Sequence, residues 1–185
     1  HLVSGIGHHE SVALLQSDVL VIDQVTSFMG NDFAIMDAGG QPIGRIRTDG
    51  GALKRFALGN RELTILDTDG SLFMRIDDVM NFGRDRYVLL DPSGHQFGEV
   101  VKEFTLFSKR LTVNLPDATL QLSGSFFERE FEVVGPGGPV ARVSRRWPGI
   151  GAAFLGKERY VLGFTPGVPG PTRAATLGAV VALDL

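Results

Sequence analysis

The sequence predicts a mainly β protein, a closed antiparallel barrel of about twelve strands around a central hydrophobic C-terminal helix. Three observations predict it. An Asp-x-x-Gly hairpin pattern recurs along the chain, no stretch before residue 170 has a helical period, and the chain closes on a segment that is apolar on every side.

The hairpins come first. "FAIMDAGGQPIGRI" begins at Phe33, "LTILDTDGSLFMRI" at Leu63, "YVLLDPSGHQFGEV" at Tyr87 and "FEVVGPGGPVARV" at Phe131. Each is an alternating apolar run, a turn, and a second alternating run. The turn cores are Asp37 to Gly40, Asp67 to Gly70 and Asp91 to Gly94, with Gly135 to Gly138 lacking the Asp. Asp accepts hydrogen bonds from the turn backbone, and the last Gly takes positive φ. A further hairpin, "LTVNLPDATLQLSG", turns at Pro116-Asp117. "VLVIDQ" from Val19, a run near "LKRFAL" and "ERYVLGF" from Glu158 complete the strands. A short helix fits only in "PGIGAAFLG", before the last strand. Up-and-down strands lose their edges by closing into a barrel. Side chains fill a ring of about eight strands, whereas a wider ring needs a filling.

The closing segment supplies that filling. Ten uncharged residues lie between Arg173 and Asp184. As a helix, Thr172 to Leu185 is ~20 Å long, the length of a strand of about six residues. A membrane span needs ~20 apolar residues, so no transmembrane span is expected. Leu177, Val180, Val181 and Leu183 are the expected plug residues. Arg173 and Asp184 stand at the helix ends opposite to the dipole preference, so burial has to hold the helix in place. The expected organisation is a loosely ordered segment over 1–17 and one barrel domain over 18–185, with the helix at 172–185.

Composition sets outer limits. The chain has 185 residues, 43% hydrophobic and 21% charged, which suits one packed domain. A net charge of −3 gives no general pull towards nucleic acid. With no cysteine, disulfides, thiolate metal sites and cysteine nucleophiles are excluded. The opening residues, "HLVSGIGHHE", carry no secretory pattern, so a cytoplasmic protein is expected.

The run of Asp-x-x-Gly hairpins, the late "GKERYVLGF" strand, the "PGV" turn and the closing "GAVVALD" together resemble the LURP-one-related proteins over Asp18 to Leu185. These are grouped with phospholipid scramblases and the tubby C-terminal domain. The resemblance implies a twelve-stranded barrel around a hydrophobic C-terminal helix. It also implies a non-enzymatic scaffold or binding module, with an anionic lipid surface or a protein as partner. The chain departs from plant members after the "PGV" turn, where Pro169 replaces a common Asp. Scramblases carry a calcium-binding segment before the terminal helix. Here that region, "TPGVPGPTR", has no acid, which weakens the alternative of a scramblase-like protein anchored by its C-terminal helix.

Candidate chemistry is sparse. His8, His9 and Glu10 sit on a loose terminus without the fixed geometry a metal needs, and His95 is a turn residue. Asp67, Asp69, Asp77 and Asp78 suggest calcium, but the twelfth-position Glu is missing and a hairpin turn explains the same residues. Ser125 lacks a nucleophile elbow. Glu128 and Glu130 flank Arg129 on what reads as a charged outer face. No catalytic residue, metal or cofactor is expected. Basic pairs remain at Lys54-Arg55, Arg84 with Arg86, Lys109-Arg110 and Arg145-Arg146 beside Trp147. Lys109, Arg110, Arg145, Arg146 and Trp147 are the expected lipid-headgroup residues, with Trp147 at interfacial depth. That reading places the protein peripherally at the inner membrane surface and sets no oligomeric state.

Overall fold

A computed structural model describes residues 13–25, 32–48, 62–79, 85–104, 106 and 109–184. Its strands are β1 (Val19–Asp23), β2 (Asp32–Met36), β3 (Pro42–Thr48), β4 (Glu62–Asp67), β5 (Leu72–Val79), β6 (Asp85–Leu90), β7 (Gln96–Phe104), β8 (Lys109–Asn114), β9 (Thr119–Ser125), β10 (Glu130–Gly135), β11 (Gly138–Ser144) and β12 (Arg159–Phe164). Each pairs antiparallel with its neighbour, and β1 pairs with β12 to close the barrel. The run near "LKRFAL" lies outside the described residues, as do His8, His9, Glu10, Lys54, Arg55 and Arg84.

The hairpin chemistry explains the turns. In the first, the Asp37 carboxylate accepts from the backbone N–H of Gly39 and of Gln41, each at 2.9 Å, and Gly40 takes φ 83°. The register slips by one residue between Ile35 and Met36. A type I turn followed by a left-handed residue and a bulge has these features. Asp91 repeats the pattern on Ser93 and His95. In the second hairpin Asp69 takes over, accepting from Ser71, while Asp67 bonds the Thr68 N–H. Two of the four acids of the calcium reading therefore serve their own turn, and a third, Asp77, accepts from Arg75 at 3.0 Å.

Alternation then sorts the side chains. Leu20, Ile22, Ile35, Ile46, Leu63, Ile65, Ile76, Leu89, Val100, Val113, Val133 and Leu162 line the interior. Outward positions carry ion pairs, such as Arg47 with Asp32 at 3.2 Å and Arg86 with Glu99 at 2.6 Å. Glu99 also accepts from Asn114 at 3.0 Å, and that bond with Arg86 holds its carboxyl below the ordinary range.

Among the described residues two short helices accompany the barrel, α1 (Ala13–Gln16) and α2 (Ala152–Leu155), and a longer one, α3 (Gly170–Ala182), follows the last strand. Every residue from Arg173 to Ala182 is buried, packed inside the ring of strands. Leu177, Val180 and Val181 are fully enclosed and Leu183 is half-buried at the helix end. The fit is close at Gly178, where a Cβ would stand 2.8 Å from Leu89 and 3.0 Å from the Met74 sulfur. The helix starts two residues before the expected Thr172, because Pro171 occupies its first turn, where the missing N–H costs nothing. Upstream, α1 tucks Leu14 into the core.

A smaller apolar cluster lies on the outside. The segment after β11 folds back over β1, β2 and β12, where Val21, Met36, Leu155 and Val161 pack together with Trp147 and Ile150.

Candidate functional site: the loop end of the barrel

Up-and-down connectivity gives the barrel two unlike ends. Five hairpin turns, α1 and the start of α3 gather at one, the hairpin end. The longer connections and the last residues of α3 gather at the other, the loop end.

Every described member of the basic pairs singled out from the sequence sits at the loop end or beside it. Lys109 and Arg110 open β8, and both are exposed. Arg145, Arg146 and Trp147 follow β11, three strands further round the ring. They do not form one cluster. The Lys109 ammonium lies 3.8 Å over the ring of Phe127. Arg145 is a clasp: its guanidinium donates to Gln24 Oε1 at 2.6 Å and to the Lys157 carbonyl at 3.1 Å. Arg146 stays exposed. Trp147 lies flat on the outer wall, where a Cβ on Gly163 would meet its ring at 2.3 Å, with Arg142 6.0 Å above it. The ring is half-buried there. Arg86 pairs with Glu99 on the outer face.

The sequence reading missed the apolar part of this end. Phe104 is 39% exposed, Phe127 64% and Leu106 96%. Phe104 stacks on buried Phe126 at 5.8 Å, and Phe126 meets Phe131 edge-on at 5.4 Å. The exposed rings are thus the outer rungs of an aromatic ladder rooted in the core. The signal was present in "FTLF" and "SFF" at strand connections, where a turn calls for polar residues.

Beneath the rim lies a buried charged centre. Arg129 adopts φ 56°, an uncommon conformation for a residue with a side chain. That turns its guanidinium inward onto the Phe126 carbonyl and the Asp184 carboxylate. Asp184 also accepts from the Val25 N–H at 3.0 Å. Arg129 and Asp184 side chains are 5% and 3% exposed. Burial raises the Asp184 carboxyl above its ordinary range, against the pull of Arg129. Tyr160 faces the same centre, 5.5 Å from the guanidinium, and burial raises its phenol well above normal. Lys102 is buried beside Tyr87, its ammonium 4.8 Å from the ring. At the hairpin end Arg173 makes the matching contact with Asp18 at 2.7 Å and donates to the Val168 and Ser17 carbonyls. The two charges that oppose the dipole of α3 are therefore its two latches.

The family model for LURP-one-related proteins matches residues 18–184. The chain belongs to the LURP-one-related family. A solved structure of a protein from Arabidopsis thaliana has the same fold at 17% identity, covering 90% of this chain and 91% of that one with a TM-score of 0.57. No curated protein gives a significant match.

For this LURP-one-related barrel the arrangement leaves little room for chemistry at its centre, because α3 occupies it. No helix among the described residues is long and apolar enough to cross a membrane.

Proposed function

We propose that this LURP-one-related protein is a non-enzymatic binding module whose loop end docks on anionic phospholipid headgroups at the cytoplasmic face of a membrane. The observation that carries the reading is the contrast between the two ends. The hairpin end presents Asp18, Asp37, Asp67, Asp69, Asp91 and Asp117, and its turns hold no lysine or arginine. Lys109 and Arg110 lie exposed at the loop end with Phe104, Leu106 and Phe127, and Arg146 lies exposed further round the ring. A chain of net charge −3 whose hairpin turns carry acids and no cation meets an anionic surface loop end first, although Asp32, Asp85, Glu128 and Glu158 are exposed at that end too.

Sedimentation with phosphatidylserine-containing vesicles tests this. The protein is expected to pellet at low salt, to be released as salt screens the contacts, and to stay in solution as the Lys109→Glu/Arg110→Glu variant. A protein that stays in the supernatant at low salt overturns the lipid reading, and a protein partner at the same face becomes the surviving form of the module. The anchor alternative, with α3 leaving the barrel, has weaker support: the helix is enclosed along its length and latched at both ends by ion pairs.

A further inference from the structure

The loop-end rim is graded in exposure. Leu106 stands almost free, Phe127 and Phe104 are partly exposed, and the exposed cations Lys109 and Arg110 begin the strand that follows. Exposed aromatic rings are usually mobile, but these are braced. Phe104 rests on Phe126, Phe127 meets Phe104 at 6.2 Å, and the Lys109 ammonium covers the Phe127 ring. Phe127 also belongs to the turn whose last residue, Arg129, is pinned inside the barrel by Asp184 and the Phe126 carbonyl. The same turn therefore seats Phe126 inward and presents Phe127 outward.

We propose that Phe104, Leu106 and Phe127 form a preorganised tip that enters the acyl region of a bilayer, while Lys109 and Arg110 remain at the headgroups. Exposed apolar groups flanked by long cations match the mixture of apolar and charged groups that a protein presents at a membrane surface. Three side chains are few against the roughly 20–30 residues a side of a stable protein interface. They suffice for reversible partitioning assisted by charge. The tip gives depth and the cations give selectivity for anionic lipid. Glu128, exposed in the same turn, opposes the cations and tempers the affinity.

This inference rests on the lipid reading above, and its test separates the two. Leu106→Trp places a fluorophore at the tip, while Trp147, the one native tryptophan, lies against the outer wall. With vesicles of phosphatidylcholine and phosphatidylserine carrying brominated acyl chains, the new emission is expected to shift to the blue and be quenched. In parallel, Leu106→Asp/Phe127→Ser is expected to lower partitioning about tenfold or more with no change in thermal midpoint, since both side chains are exposed. Glu128→Gln is expected to raise it. Pelleting without quenching, and without loss in the double variant, overturns the tip while headgroup docking stands. Failure to pellet overturns both. If the free protein is a dimer that the double variant dissociates, the tip is an interface between copies and the proposal falls.

Discussion

The two ends of the barrel hold the same helix in different ways. At the hairpin end Arg173 is buried but its partner Asp18 is 54% exposed, so the pair stays in touch with water. At the loop end Arg129 and Asp184 are both sealed from it. The hairpin end is built from short turns that satisfy themselves, and it needs little from α3. The loop end joins its strands through connections of mixed length, and its turn from Phe126 to Arg129 borrows Asp184, just past α3, to set its shape. The difference teaches that the stability of the plug and the form of the candidate binding face are joined at Arg129, and that the hairpin end is a closure only.

The comparison breaks most visibly at the buried pair. Arg129→Ala leaves Asp184 buried without its cation and should lower unfolding free energy by about 3–5 kcal/mol in urea denaturation. The deficit should shrink on acidification. With Arg129 gone, burial raises the Asp184 carboxyl further above its ordinary value of 3.8. A raised folded-state value means stability that is present at low pH and lost as pH climbs through it. Acidifying towards the ordinary value should therefore recover part of the loss, and a pH-independent deficit would contradict the assignment.

Leu14→Ala probes the hairpin closure. A fully buried Leu→Ala change costs about 2–5 kcal/mol, and the lower half is expected here because α1 is a single turn whose neighbours can relax. Asp18→Ala should cost only about 0.2–1 kcal/mol, as for an exposed pair, because the Val168 and Ser17 carbonyls still receive Arg173. If Asp18→Ala equalled Arg129→Ala, the two latches would not differ as described. Lys109→Ala/Arg110→Ala should leave stability within about 0.5 kcal/mol while reducing vesicle binding, which separates the rim from the fold.

Much of this architecture was legible in the sequence. Asp37, Asp91 and the glycines three residues on mark their turns because the bonds that need them are local. Apolar residues on every side of the last segment reveal the plug, because only a surrounded helix tolerates them. Contacts between distant residues were not legible. Arg173 and Asp184 look misplaced for a helix until Asp18 and Arg129 are found, 155 and 55 residues away. Trp147 beside two arginines reads the same whether it faces a lipid or Gly163, and only the packing of the outer wall places it. Ala13–Gln16 is too short to show a period. Phe104, Leu106 and Phe127 pass for strand residues until the strands are seen to end at or before them.

Hydrogen exchange of the α3 amides, with and without anionic vesicles, tests the central claim most directly. A helix that fills the barrel and is latched at both ends should exchange only through global unfolding, at the rate of the slowest strands, and keep that protection on vesicles. Opening of α3 at lower cost than the strands around it, or loss of its protection when vesicles are added, would contradict the account.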